Sequence, residues 1–467
     1  MGSNGDYERV STTTTDTSNH SKHGHGSSFY LWYVIILLTL ASTISIIDRQ
    51  VLNVMVGPIK RDLGGLTDFQ FSLIAGLAFT TFYSLLSYPA GWIADRYNRR
   101  NLMAVGITAW SIMTMACGMA GTYWQLFFTR MGVGVGEATL GPAANSTLAD
   151  YFKPARLPLA IGVVSAAPFI GQGLANVVGG PLVEYLESVP NIVLPIVGEV
   201  YSWQMVFLLL GIPGIIVGAL FLTIKEPARQ GKMLEQTEAV PFSQVWAFVM
   251  DRWRFFALIF AAYLGLSVQG WSLFTWLVEY YIRDFGWTRS EITLTYGPIA
   301  GIVGIMGSVG AGAIAGYMLG RGKRDATVRL VFWGTCALIP LAMLLTSVPN
   351  AYAGIAILIP VTFLMAMPSG LIMTTLQSIC PNELRGQAIA FYLISVNFLA
   401  YTFGPSMPPV LTQLFFGSEE GIGDAIAILA IFTYGGAAIC LYLCLKHYRA
   451  ALDLAKEWTE ESFSSND

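Results

Sequence analysis

Twelve apolar segments, each long enough to cross a lipid bilayer, follow one another along this 467-residue chain. They cover residues 29–56, 69–94, 101–121, 124–150, 157–185, 203–224, 253–282, 288–319, 327–347, 351–379, 384–414 and 423–446, and are numbered here spans 1 to 12. A bilayer core of about 30 Å needs about 20 residues of helix. Membrane barrels would instead need short segments of alternating polarity. The pattern therefore predicts an all-α membrane protein with twelve transmembrane helices.

The composition excludes the main soluble classes. Only 12% of residues are charged and 54% are hydrophobic, whereas about 25% of a soluble protein is charged. The longest polar interruption, 225–254, divides the spans into two groups of six. We therefore expect a polar tail over 1–28, a six-helix bundle over 29–224, a linker over 225–252 with a short helix in it, a second bundle over 253–449, and a tail over 450–467.

The lysine and arginine residues predict the orientation in the membrane. With the N-terminus inside, twenty of the 26 fall in inner loops and tails, four in outer loops and two within spans. Because cytoplasmic loops are enriched in these residues, both termini should be cytoplasmic, in a plasma membrane or a bacterial inner membrane. We expect a monomer surrounded by membrane lipids, with no nucleic-acid partner.

A charged loop joins spans 2 and 3, with the sequence Gly91-Trp-Ile-Ala-Asp95-Arg96-Tyr-Asn-Arg99-Arg100. It resembles the signature loop of the major facilitator superfamily, with an asparagine in place of the usual second glycine. The resemblance implies a fold of two six-helix bundles. It also implies that Gly91, Asp95, Arg96, Arg99 and Arg100 form a cytoplasmic gate. In that family the aspartate faces the positive N-terminal end of the eleventh helix, which here would start near residue 382.

Span 4 carries two charges within an apolar segment. Arg130, Gly134, Glu137, Gly141 and Asn145 recur at helical spacing and share one face. This stretch also resembles a superfamily pattern on the fourth helix. A charge inside a membrane span is costly and by default marks a functional site. The alternative is a structural pair between the arginine and the glutamate, although seven residues correspond to about 10 Å of helix.

Span 1 carries Asp48 and Arg49 on or beside a face that also holds Ser45. Counted along the helix, Asp48 lies roughly 13 Å deep and Arg130 roughly 9 Å, so that either residue of span 1 can meet Arg130. Glu137 lies deeper, at about 20 Å. The adjacent Asp-Arg pair together with the span 4 pattern is similar to the spinster family. That resemblance implies export of lysophospholipids or sphingosine-1-phosphate.

The two halves differ in their intramembrane residues. The second half has aromatic and methionine side chains where the first has charges, which suits an amphipathic substrate with its headgroup on the first half. The same stripe is also typical of core packing. The candidate substrate-binding residues are Arg49, Arg130, Glu137, Asn145, Gln172, Asn176, Gln269, Trp271, Trp276, Tyr392 and Asn397.

The energy source is expected to be a proton gradient. The sequence has no Walker A loop, and its four histidines lie in the tails. Glu279 lies near the outer end of span 7, where constant exposure would make it a poor carrier. Asp48 and Glu137 are therefore the candidate proton carriers. We expect no metal and no cofactor. The predicted function is proton-coupled transport of a lysolipid-like or sphingolipid-like substrate by alternating access. The alternatives are an exporter of drugs or small organic anions and a nutrient-sensing receptor. An intramembrane hydrolase, which would make the chain an enzyme, is disfavoured because no G-x-S-x-G motif is present.

Overall fold

The computed structural model describes residues 28–152, 156–194, 198–227 and 242–464. Spans 1 to 6 occupy Ser28–Val54, Asp68–Arg96, Arg99–Cys117, Tyr123–Glu137 with Leu140–Tyr151, Leu157–Ser165 with Ala167–Ser188, and Ser202–Phe221. Spans 7 to 12 occupy Trp253–Phe285, Arg289–Gly320, Ala326–Ser347, Ala351–Ala366 with Pro368–Gln377, Asn382–Phe416, and Ile422–Ser464. The predicted all-α membrane fold is confirmed.

Ten of the helices in the described ranges are long and apolar enough to cross a membrane on their own. Spans 3 and 4 are not among them. Span 3 begins with two arginines, and span 4 is interrupted at Ala138 and Thr139. Both nevertheless pack inside the helical assembly, where span 3 lies against spans 4 and 6.

Spans 2 and 8 share a local irregularity. Each contains a π-helical turn with the sequence Ile-Ala-Gly, at Ile74–Ala78 and at Ile299–Val303. The glycine of the first turn packs against the backbone carbonyl of Tyr401 in span 11, so closely that a Cβ atom would overlap it. The glycine of the second turn packs against Gly173 in span 5. The two halves therefore meet at equivalent places, through small residues that allow close backbone approach.

Two elements lie outside the expected pattern. Antiparallel strands β1 (Ile192–Leu194) and β2 (Gly198–Val200) form a hairpin between spans 5 and 6, in a loop where no strand was predicted. Span 12 continues to Ser464, beyond residue 449, where the second bundle was expected to end. A helix over Phe242–Asp251 stands where the short linker helix was predicted. Residues 1–27 of the predicted tail, 228–241 of the linker and the last three residues lie outside the described ranges.

The two ends of the spans are named here by their sequence. The basic side is the one at which span 2 ends at Arg96 and span 3 begins at Arg99. The opposite side is the one at which span 1 ends at Val54 and span 2 begins at Asp68. The lysine and arginine distribution predicts that the basic side is cytoplasmic.

Candidate functional site

A cavity of about 480 Å³ lies between the two halves. One wall comes from spans 1, 2, 4 and 5, and the other from spans 7, 8, 10 and 11. Six of the predicted substrate-binding residues line it: Arg49, Glu137, Asn145, Gln172, Trp271 and Asn397. The wall formed by spans 7, 8 and 10 carries no charge and contributes large side chains such as Trp271, Phe274 and Met365. The charges therefore lie on one side of the cavity.

Arg49 and Glu137 form an ion pair in this cavity. The arginine Nη2 lies 2.5 Å, and its Nε 2.8 Å, from the same carboxylate oxygen, Oε2. Ser45, one helical turn from Arg49, donates its hydroxyl to that oxygen at 2.6 Å. The other oxygen of Glu137 is buried and accepts no hydrogen bond. Glu137 ends the first helical piece of span 4, and these contacts hold its carboxylate against span 1.

Aromatic rings from both halves enclose the Arg49 guanidinium. Its central carbon lies 4.5 Å from the ring centre of Phe79 and 4.8 Å from that of Tyr83, both in span 2. Its Nη1 donates to the Tyr401 hydroxyl at 3.0 Å, and the Tyr401 ring lies 3.7 Å from that of Trp271. Aromatic faces attract cations, more strongly where water is excluded. Sequence reasoning missed Phe79 and Tyr83, whose helical spacing of four was the available signal.

Asp48 and Arg130 lie behind this pair, outside the cavity lining. Both are 1% exposed. Asp48 accepts a hydrogen bond from Thr114 at 3.0 Å through Oδ2, while its Oδ1 has no partner. Arg130 donates to the backbone carbonyl of Asp48 at 3.3 Å, and its Nε has no partner. Arg130 thus meets Asp48 of span 1, as the depths predicted, but only through the backbone; within the described residues it forms no ion pair with the carboxylate of Asp48 or of Glu137.

Four further predicted substrate residues are packed away from the cavity lining. Asn176 donates to the carbonyl of Gln172 within span 5 at 2.8 Å. Gln269 donates to a backbone carbonyl of span 12 at 3.1 Å, and Trp276 to one of span 11 at 2.8 Å. Tyr392 is buried beside Tyr263 with its hydroxyl unpaired. Their contacts are those of helix packing.

The predicted gate residues divide into two groups. Asp95 is exposed and has no ion pair or hydrogen bond within the described ranges, although span 11 does begin at Asn382. Arg96 is also exposed, and its guanidinium lies 4.2 Å from the Trp92 ring centre. Arg99, by contrast, is buried and tied to the first half.

Arg99 donates to Asp150 at the end of span 4 at 2.5 Å, and to Glu226 after span 6 at 2.9 Å. The backbone of Arg100 donates to the same glutamate at 2.9 Å. Gly91 lies in span 2 near Pro142 of span 4. These residues hold spans 2, 3, 4 and 6 together on the basic side.

An ion network on the opposite side joins the two halves, and no sequence argument found it. Asp68 of span 2 is 1% exposed and accepts from Arg283 of span 7 at 2.7 and 2.9 Å. Lys60 bridges Asp68 and Glu419, at 2.5 Å each. Nearby, Arg289 at the start of span 8 pairs with Glu187 at the end of span 5 at 2.5 Å. The only sequence signal was a charge at each of these span ends.

Metal coordination has no candidate in the part of the chain that the structure describes. There, no group of three or more histidine, cysteine, aspartate or glutamate side chains is placed to hold an ion.

Comparisons with known proteins agree with the fold. The sequence model of the Major Facilitator Superfamily matches residues 38–405. The chain is 25% identical, over 93% of its length and 96% of the relative's, to an MFS-type efflux pump of Mycolicibacterium smegmatis. It is 24% identical to the cis,cis-muconate transport protein of Acinetobacter baylyi, over 90% of this chain and 95% of that one.

A solved structure is also similar. It is the inward-facing, unoccupied form of a bacterial homologue of the human lysosomal transporter Spinster. The TM-score is 0.74 at 24% identity, and the alignment covers 92% of this chain and 99% of that one. At this identity the similarity concerns the fold.

Proposed function

The chain belongs to the Major Facilitator Superfamily, and on that premise we propose that it is a proton-coupled secondary transporter of an amphipathic lysolipid-like or sphingolipid-like molecule. The main support for this proposal is the unequal distribution of charge between the two walls of the central cavity. The Arg49–Glu137 pair lies on one wall, and an uncharged wall with Trp271, Phe274 and Met365 faces it. A headgroup on the charged wall and a hydrocarbon tail on the other would match this distribution.

Glu137 is proposed as the main proton carrier. The carboxylate occupies the Nε and Nη2 donors of Arg49, so a second anion cannot use them while Glu137 is ionised. A proton on Glu137 removes one charge of the pair and frees the guanidinium. An acidic headgroup would then bind together with the proton, whereas a cationic amphiphile would compete with the proton for the carboxylate. Asp48, buried and without an ion-pair partner in the described residues, is the second proposed carrier.

A second candidate function is proton-coupled export of drugs or small organic anions. The relatives favour it, because they include an efflux pump, a muconate transport protein and a hexuronate transporter. An arginine in the cavity suits any carboxylate or phosphate. The two candidates differ in whether a long apolar chain contributes to recognition.

Flux into proteoliposomes under an imposed pH gradient tests both candidates. We expect a lysophosphatidylglycerol to be moved faster than cis,cis-muconate or glucuronate, and the flux to collapse when the gradient is removed. Faster movement of the small anions would favour the second candidate. Flux that ignores the pH gradient would contradict proton coupling.

The variant Glu137→Gln tests the proposed carrier. We expect gradient-driven flux to fall at least tenfold, a factor that corresponds to the free energy of about one hydrogen bond to a charged group. Substrate exchange without a gradient should persist. The matched control is Glu420→Gln, an exposed carboxylate with no ion pair in the described ranges. If Asp48→Asn combined with Glu137→Gln still accumulates substrate in response to the gradient, another group carries the proton.

A further inference from the structure

A second pocket, away from the central cavity, lies on the basic side of the second half. It has a volume of about 340 Å³ and is formed where the loop before span 9 and the first turn of that span meet residues 449–453 of span 12. Its charged lining residues are Lys323, Arg324, Asp325, Arg329, Arg449 and Asp453. Four cations against two carboxylates leave the pocket with a net charge of +2.

The carboxylates do not use up the donors of these cations. One oxygen of Asp325 is shared by Arg449 at 2.5 Å and by Arg329 at 2.9 Å. Asp453 meets Arg324 at 3.3 Å, with both side chains more than half exposed. Lys323 is exposed and has no ion pair among the described residues. The pocket therefore presents an unpaired ammonium group and a net positive charge to an anion.

The corresponding cluster of the first half has the reverse balance. There one buried cation, Arg99, is shared by the carboxylates of Asp150 and Glu226. Because Arg99 also donates to Ser146 and to the carbonyl of Pro227, most of its guanidinium donors are in use. Among the described ion pairs, cations outnumber carboxylates at Asp325, whereas carboxylates outnumber the cation at Arg99.

The surface beside the pocket is apolar. Trp333 lies one helical turn into span 9 from Arg329 and is 63% exposed. Tyr442 lies two turns from Arg449 on the same face of span 12 and is 65% exposed. Phe332 joins the two spans there, with its ring centre 6.0 Å from that of Tyr442. An acyl chain extending from the pocket along spans 9 and 12 would lie on these rings.

We propose that this pocket binds the phosphate headgroup of an anionic membrane phospholipid, with Lys323, Arg329 and Arg449 as its donors. Basic pockets between transmembrane helices on the cytoplasmic side suit such headgroups. The adjoining aromatic surface selects a lipid over a free phosphate, because it adds apolar contacts for the acyl chain. The site is independent of the central cavity and of the transported substrate.

Native mass spectrometry of the purified full-length protein tests the site. The protein is titrated with dioleoylphosphatidylglycerol, with dioleoylphosphatidylcholine and with glycerol 3-phosphate, and the bound fraction is compared. We expect phosphatidylglycerol to bind most tightly. Equal binding of phosphatidylcholine would overturn the anion requirement, and equal binding of glycerol 3-phosphate would overturn the lipid assignment.

Two charge variants, one expected to weaken phosphatidylglycerol binding and one expected to tighten it, test whether the lipid binds in this pocket. Lys323→Gln should weaken phosphatidylglycerol binding about fivefold, the effect of one basic residue near a membrane surface. Asp453→Asn, at an exposed carboxylate, should tighten it by a similar factor of about five. Lys446→Gln removes the same charge from an exposed position of span 12 outside the pocket lining. If it weakens binding as much as Lys323→Gln, or if Asp453→Asn has no effect, the proposed site is wrong.

Discussion

The opposite side and the basic side of the molecule use their ion pairs differently. On the opposite side the pairs cross between the halves, as between Asp68 of span 2 and Arg283 of span 7. Spans 5 and 8 also pack closely there, because the side chain of Thr293 leaves no room for a Cβ atom on Gly180. This end of the central cavity is closed.

On the basic side the described ion pairs stay within a half. Arg99 joins spans 3 and 4 to the residues after span 6, all in the first half. Asp325 joins spans 9 and 12 in the second half. Asp95, the predicted gate carboxylate, has no partner from span 11 in the described ranges. The basic-side clusters therefore hold each half as a unit, while the opposite-side network holds the two units together.

Under the proposed alternating access, the difference indicates which interactions would have to break. Rocking the halves about the central site would leave the clusters at Arg99 and Asp325 intact. It would separate Asp68 from Arg283, and it would bring Asp95 toward the start of span 11.

The largest expected effect is that of Asp68→Asn. The carboxylate is buried against two cations, Lys60 and Arg283, and removing one partner of a buried ion pair costs about 3 kcal/mol. The ratio of molecules closed on the opposite side to molecules open there should therefore fall roughly a hundredfold. A cysteine at Ser406, which is buried against Ser72 across the halves at 3.2 Å, reports the change through its rate of maleimide labelling in a background without the native cysteines.

The control for this experiment is Glu420→Gln, which removes a carboxylate next to Glu419 that has no ion pair in the described residues. We expect its labelling rate at Ser406→Cys to equal that of the parent. If Asp68→Asn leaves the rate unchanged as well, the network does not hold the halves together.

Asp95→Asn is expected to change the labelling rate at Ser406→Cys less than Asp68→Asn does, and in the opposite direction. In the present conformation the side chain is exposed and unpaired among the described residues, so the variant should not change its stability. A conformation closed on the basic side would lose the contact with the helix terminus at Asn382, worth about 1 kcal/mol. Labelling at Ser406→Cys should therefore fall about fivefold. A rate that rises, or that falls equally in Asp453→Asn, would contradict the assignment.

Much of the fold could be predicted because the bilayer constrains it. Each span must contain about 20 apolar residues, so the segments are visible without an alignment. The helical interruption of span 4 was not visible, since Ala138 and Thr139 are ordinary helix residues. The hairpin of β1 and β2 was missed because it lies in a loop that apolar length does not describe.

The site was harder to predict, for a geometric reason. Rise per residue gives the depth of a side chain but not the direction in which its helix face points. At similar depths, Arg49 and Arg130 looked equivalent, yet the first lines the cavity and the second lies behind span 1. The opposite-side network joins Lys60 to Glu419, residues far apart in the sequence. No spacing rule connects such positions.

The smallest predicted effect concerns the cluster at Asp325, which should stay intact when the two halves move relative to each other. Burial raises the pKa of the Asp325 carboxyl, but hydrogen bonds and charges from Arg329 and Arg449 outweigh burial and lower it below the usual 3.8. A lowered pKa in the folded state means that this group stabilises the fold above pH 3.8 and that the stabilisation is lost as the pH falls further.

Thermal unfolding of Asp325→Asn should measure that contribution. The partner arginines are 34% and 54% exposed, so we expect a loss of less than about 1 kcal/mol at pH 7. The difference from the parent should stay constant down to about pH 4 and shrink below it, where the parent carboxyl becomes protonated. Asp453→Asn, whose pair is exposed on both sides, is the matched control and should unfold like the parent. If the loss of unfolding free energy in Asp325→Asn is undiminished at pH 3, its cause is packing rather than charge. If this variant alters the labelling rate at Ser406→Cys, the cluster is not confined to one half.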